Sequence, residues 1–96
     1  MLTGRVSVPT PQLNRFLAEV TELRQPPAVQ GKRLKILYGA QTETGPPRFA
    51  LQVNSRSRIT KGYAYYIENR LRERFRLEGV PIIIDLVEHR SRRSES

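Results

Sequence analysis

Apolar and polar positions along this chain follow two periods in turn. Leu13, Phe16, Leu17 and Val20 recur at helical spacing, with Asn14, Arg15, Glu19 and Glu22 on the opposite side. The spacing predicts a helix that begins with Thr10 as its cap and Pro11 at the first helical position, and that ends at Pro26 and Pro27. From Arg33 to Glu43 the period shortens to two. Leu34, Ile36, Tyr38 and Ala40 then share a core-facing side, and Arg33, Lys35, Leu37, Gly39 and Gln41 share the other. Thr44, Gly45, Pro46 and Pro47 carry turn chemistry, and Phe49, Leu51 and Val53 alternate again, so two strands form a hairpin. Asn54 to Lys61 reads as a polar, basic loop. A second helix runs from about Thr60 to Leu77, with Tyr63, Tyr66, Ile67, Leu71 and Phe75 near one face and Glu68, Asn69, Arg72, Glu73 and Arg76 largely on the other. Gly79 is its expected left-handed stop, with Pro81 just beyond. Ile82 to Val87 makes a third strand.

The order α-β-β-α-β predicts an α+β fold, a three-stranded mixed sheet with two helices packed on one face. The helical return places strand three parallel to strand two. The uncovered face would carry Arg33, Lys35, Leu37, Arg48, Ala50, Gln52, Ile83, Asp85 and Val87, too apolar a set for an ordinary solvated surface. Leu37, Ala50, Ile83 and Val87 are therefore expected to dock onto another surface. Tyr65, which breaks the apolar face of helix two, is expected to point outward and join them. Residues 1–9 read as the remnant of a linker, 10–88 as the domain, and His89 to Ser96, with Arg90, Arg92 and Arg93, as a basic disordered tail.

Charge adds a partner class to this outline. The net charge is +8, and between Arg24 and Arg58 seven basic residues face the single acid Glu43. Such a balance favours polyanions, because each phosphate neutralised releases condensed counterions. Other chemistry is scarce. The chain has no cysteine and only His89 as histidine, which excludes a disulfide framework, a thiolate metal site and a histidine metal centre. No apolar run is long enough to cross a bilayer and no secretory signal opens the chain, so a cytoplasmic location without membrane contact is expected. No nucleophile motif, HExxH, EF-hand loop or GxxxxGK[ST] occurs, so the chain does not read as an enzyme. Its glycines never stand three apart, so the GxxG clamp that grips a nucleic-acid backbone is missing. Arg56, Arg58 and Lys61 can still contact phosphates without a clamp.

The segment GKRLKILYGAQTETGPPRFALQVN, followed by YIENRLRERFRLEGVPIIIDL, resembles the C-terminal domain of the ribosome-assembly GTPase Der, also called EngA. In that family a GxRLKIxYATQ-like strand, a PPxFxLxVN strand and a Y-x-ENxLRExFxFEGxPI unit recur. The upstream VPTPQLNRFL matches its first helix, so the likeness covers roughly residues 5–88. It implies a KH-like domain placed after two tandem GTPase domains in a bacterial protein that assists large-subunit assembly. Arg33, Lys35, Gln41, Pro46, Pro47, Asn54, Glu68, Asn69, Arg70 and Arg72 match the family pattern, whereas Gly39 stands where the family tends to have alanine, and SRSRITKG replaces a more acidic connection. The resemblance implies no cofactor in this domain, with GTP and Mg belonging only to a parent protein. The expected partners are ribosomal RNA of the large subunit and the GTPase domains of the same polypeptide, with the domain monomeric. Arg33, Lys35, Arg48, Arg56, Arg58 and Lys61 are the expected RNA contacts. The alternative is a regulatory module that docks on the adjacent GTPase domain and binds little RNA directly.

Overall fold

Proline placement sets the first helix. The computed structural model describes residues 6–88, so part of the expected linker and the whole expected tail lie outside the described residues. Helix α1 spans Thr10–Leu23, with Pro9 as its N-cap and no side-chain cap. Thr10 is thus the first helical residue and not the expected cap. Pro11 brings no N–H to the first turn, so fewer orphan donors need a partner there. Leu13, Phe16, Leu17 and Val20 are buried, the face read from their spacing.

Residues 24–35, read as a connection and the start of a strand, hold a small ribbon. β1 (Ala28–Val29) pairs antiparallel with β2 (Lys32–Arg33). The turn between them places Gln30 at φ 54 and Gly31 at φ 79, the two positive values a type I′ turn requires. Two residues per strand are too few to show alternation, which is why the ribbon was not foreseen.

β3 (Ile36–Thr44), β4 (Pro47–Val53) and β5 (Ile83–Glu88) form the main sheet in the order β3-β4-β5. β3 is antiparallel and β5 parallel to the central β4, as the order of elements predicts. β4 buries Pro47, Phe49, Leu51 and Val53 and leaves Arg48, Ala50 and Gln52 half-exposed. β3 departs from strict alternation. Ile36 pairs with Val53 but Tyr38 pairs with Gln52, so Leu37 is an inserted residue, and Thr42 is a second insertion between Gln41 and Glu43. The first bulge turns Tyr38 and Ala40 to the outer face, opposite Gln52 and Ala50, and turns Gly39 and Gln41 inward, opposite Leu51 and Phe49. This corrects the expected faces of β3. Arg33 and Lys35 also precede the strand and are not on the outer sheet face.

Gly39 faces α1 closely: a methyl there would lie 2.7 Å from Leu17 Cδ1 and 3.0 Å from Leu51 Cδ2. Asn14, expected to point outward, instead grips this strand. Its Oδ1 accepts from the Gly39 N–H at 2.8 Å and its Nδ2 donates to Gly39 O at 2.9 Å. Gln41 does the same for the incoming chain, accepting from the Val8 N–H and donating to Val6 O, each at 2.7 Å. Val8 is only 5% exposed and belongs to the core, although its position lies in the stretch read as linker.

Helix α2 spans Lys61–Arg74, and the Thr60 hydroxyl caps it by accepting from the Tyr63 N–H. Its end differs from the expected glycine stop. Leu77 N–H donates to Arg72 O at 2.8 Å across Arg76, which has φ 56. That is a Schellman arrangement with arginine in the left-handed position. Gly79, at φ 80, serves the next turn, closed by Val80 N–H on Leu77 O at 2.9 Å. Leu77 is fully buried beneath it. A left-handed residue with a Cβ costs about 1–2 kcal/mol. Arg76→Gly is therefore expected to stabilise the domain by about 1 kcal/mol after its own entropy cost, raising the midpoint of thermal unfolding by roughly 4–8 °C. An unchanged or lower midpoint would show that the turn bears no such strain.

Both helices bury their apolar faces in one core with the inner sheet residues, and Phe16 meets Phe75 edge to face with ring centres 5.6 Å apart.

Candidate nucleic-acid interface

β4 ends at Val53, and Asn54 ties the following chain to the approach to β3. Its N–H donates to Lys35 O at 3.1 Å, its Oδ1 accepts from the Lys35 N–H at 2.8 Å, and its Nδ2 donates to Arg33 O at 3.3 Å. One asparagine thereby fixes two basic residues by their backbones and leaves both side chains exposed. The chain then turns through a short 3-10 helix, Arg56–Arg58, and enters α2 at Lys61. The Arg56 N–H donates to Glu88 Oε1 at the end of β5. The Tyr63 hydroxyl donates to Arg24 O at 2.7 Å, and Arg33 Nη1 donates to Gln25 Oε1, which brings the end of α1 and the β1–β2 ribbon to the same place. Arg33, Lys35, Arg56, Arg58 and Lys61 thus gather at one end of the domain. Arg24 and Lys32 join them; both were counted in the charge of the segment but not singled out as contacts.

Three cations of α2 differ from these in what faces them. Arg70 pairs with Glu73 at 2.8 Å, Arg72 with Glu68 at 2.9 Å, and Arg74 with Glu19 at 2.9 Å. The family-matching residues Glu68, Arg70 and Arg72 are thereby engaged along α2 itself. Among the described residues, no carboxylate lies within ion-pair distance of Arg24, Lys32, Arg33, Lys35, Arg56, Arg58 or Lys61. The first turn of α2 carries no acidic residue, so the positive end of its dipole adds to the same field. The family-matching Gln41 and Asn54 hold the fold together, as their hydrogen bonds show.

Arg48 stands apart from this cluster. It lies near the start of the central strand β4, at the opposite end of that strand from Asn54, where its Nε donates to Asp85 Oδ2 at 2.7 Å and its Nη2 to Asp85 Oδ1 at 3.2 Å. The hydrogen bonds from Arg48 hold the Asp85 carboxyl below its ordinary pKa, and Asp85 raises that of Arg48.

The tyrosines of α2 divide between fold and surface. The Tyr63 and Tyr66 hydroxyls donate to Arg24 O and Val20 O at the end of α1, the latter shared with the Arg24 N–H. Burial pushes the Tyr63 phenol up to about 12, helped by Tyr66 and opposed by Arg24. The Arg24 guanidinium sits 4.9 Å from the centre of the Tyr66 ring. Neither ring is free to stack on a base. Tyr65, by contrast, is 66% exposed. It lies on α2, away from the outer sheet face, so it does not join Leu37, Ala50, Ile83 and Val87 in one patch. That patch gains Tyr38, which reading by strict alternation had placed in the core: Leu37, Tyr38, Ile83 and Val87 are between 37% and 49% exposed. No signal in the sequence marks the bulge that puts Tyr38 there. Among the described residues no helix is long and apolar enough to cross a membrane, and no cluster of acidic or histidine side chains fits a metal ion.

A profile of the KH-domain-like C-terminal domain of EngA bacterial GTPase enzymes matches residues 7–86. Curated relatives agree. The chain is 51% identical to GTPase Der of Alkaliphilus metalliredigens over 75 residues, covering 78% of this chain and 17% of that protein. It is 44% identical to GTPase Der of Desulforudis audaxviator over 80 residues, covering 83% of this chain and 18% of the relative. With GTPase Der of Chlamydia pneumoniae the identity is 41% over 81 residues, 84% of this chain and 17% of the relative. The chain therefore spans less than a fifth of the length of these relatives.

Proposed function

The chain belongs to the family of KH-domain-like C-terminal domains of EngA bacterial GTPases, and from that premise we propose that it is an accessory domain that contacts ribosomal RNA of the large subunit through phosphates. The observation that carries this reading is the gathering of Arg24, Lys32, Arg33, Lys35, Arg56, Arg58 and Lys61 at one end with no carboxylate paired to them among the described residues. Without a GxxG clamp and with Tyr63 and Tyr66 held in the fold, phosphate contacts predominate over base readout. Binding of a labelled uridine oligonucleotide, followed by fluorescence anisotropy, tests it. The logarithm of affinity is expected to fall with the logarithm of salt concentration at about −0.7 per phosphate engaged, so four contacts give a slope near −3. Affinity that ignores salt, or no binding at about 50 mM salt, sinks the proposal.

A second reading concerns a different face and rests on exposed Leu37, Tyr38, Ile83 and Val87. These side chains suit docking on a GTPase domain of a Der-type parent, a contact through which nucleotide state would reach this domain. Leu37→Asp and Ile83→Asp are expected to weaken association with that domain and leave oligonucleotide affinity within about twofold, a change of only ~0.4 kcal/mol. The reverse pattern, lost RNA binding with docking intact, contradicts it.

A further inference from the structure

The outer sheet face contains one cation on its strands, and that cation is bracketed. Glu43 on β3 lies directly opposite Arg48 on β4. Asp85 on β5 reaches Arg48 diagonally from its place opposite Ala50 and takes both the Nε and the Nη2 of the guanidinium. Two carboxylates therefore face one arginine, while among the described residues no cation at the end of the domain is ion-paired through its side chain, Glu88 taking only the Arg56 N–H. We propose that Asp85 is the residue that bars this face to polyanions, by occupying the edge of Arg48 that a phosphate would take, so that RNA is confined to the basic end. The proposal rests on the polyanion-binding reading above.

The chemistry supports substitution of one anion for the other. A carboxylate and a phosphate present the same bidentate pair of oxygens to a guanidinium. The Arg48 and Asp85 side chains are both 39% exposed, so the pair lies within reach of an external anion. Being intramolecular, Asp85 competes at an effective concentration that free phosphate groups do not match. Beside the pair, Ala40 and Ala50 are small and directly opposite one another, while Ile83 is the apolar neighbour opposite Arg48 on β5. The result is a division of surfaces: phosphates at the end, and a face of balanced charge left to Leu37, Tyr38, Ile83 and Val87.

Asp85→Asn keeps the shape and removes the charge. With labelled uridine oligonucleotide it is expected to bind about fourfold tighter than the parent chain at 0.15 M salt and to steepen the salt slope by about 0.7, the signature of one further phosphate contact on a single strand. Arg48→Gln in the Asp85→Asn background is expected to remove that gain. If the double variant binds as tightly as Asp85→Asn alone, the gain does not run through Arg48 and the proposal is overturned. Because the double variant restores the parent's net charge, Glu78→Gln, which removes one exposed negative charge away from the sheet, is the control for net charge, and an equal gain from it overturns the proposal too. It is overturned as well if Asp85→Asn binds no tighter than the parent, including the case in which neither binds. The parent's own slope reports on the phosphate-binding reading separately. Thermal unfolding of each variant establishes that all are compared as folded chains.

Discussion

Changing Lys35, Arg56 and Lys61 together to glutamate is expected to weaken oligonucleotide binding by at least about a hundredfold at 0.15 M salt. Each residue is exposed, and none has a side-chain ion pair among the described residues, so removing its charge leaves no buried or orphaned ion behind. Lys35 is positioned through its backbone by Asn54, and Lys61 only opens α2, so neither side chain holds a turn together. Loss of three phosphate contacts alone predicts a fall of roughly 50-fold on a single strand and more on a duplex, and reversal adds repulsion. The salt slope should flatten by about 2 on a single strand. The matched control is Arg70→Glu, Arg72→Glu and Arg74→Glu, an equal change in net charge at cations already paired on α2 and with Glu19. Equal losses from both sets would mean that net charge alone governs binding and that the basic end is not a site.

That contrast marks what the sequence could and could not show. Charge is a one-dimensional property, so the basic run from Arg24 to Arg58 was plain, and all the expected phosphate contacts except Arg48 converge in space. Pairing is three-dimensional. Nothing local distinguishes Arg48 from Lys35, yet Arg48 is bound by a residue 37 positions away and Lys35 has no such partner.

The elements were legible where a period ran long enough. α1 and α2 gave their buried faces because four or five apolar positions repeat in each, and β4 gave its own by strict alternation. β3 did not, because Leu37 adds one residue and a strand of period two then exchanges its faces. Tyr38 came out and Gly39 went in for that reason alone. The side-chain amides were misread in the same way. Asn14, Gln41 and Asn54 look like surface polarity along the chain, whereas each spends its hydrogen bonds on a backbone brought near only by the fold. Arg76 took the left-handed position that glycine statistics had assigned to Gly79, since the burial of Leu77 decides where the helix must turn.

Phe49→Ala is expected to cost about 3–5 kcal/mol of folding stability, the largest effect of any single truncation considered. Phe49 has no exposed surface and sits on the central strand, flanked by Gln41 on β3 and Ile84 on β5. Backbone pairing on both sides holds the strand in place, so the cavity cannot close by a shift of β4, and the cost falls toward the upper part of that range. A domain of this length has about 5–10 kcal/mol in total, so the variant should lose at least about 15 °C in its unfolding midpoint. Urea unfolding followed by circular dichroism measures this directly. Phe49 touches none of the cations of the basic end by pairing, so at a temperature where the variant remains folded its oligonucleotide affinity and salt slope should equal those of the parent. Stability and binding would then separate: the inner row of β4 secures the fold, while the side chains proposed to meet RNA lie beyond the end of that strand. A Phe49→Ala chain that is fully folded yet has lost salt-dependent binding would mean instead that the basic end is assembled by the core itself, and that the cluster is not the independent surface described above.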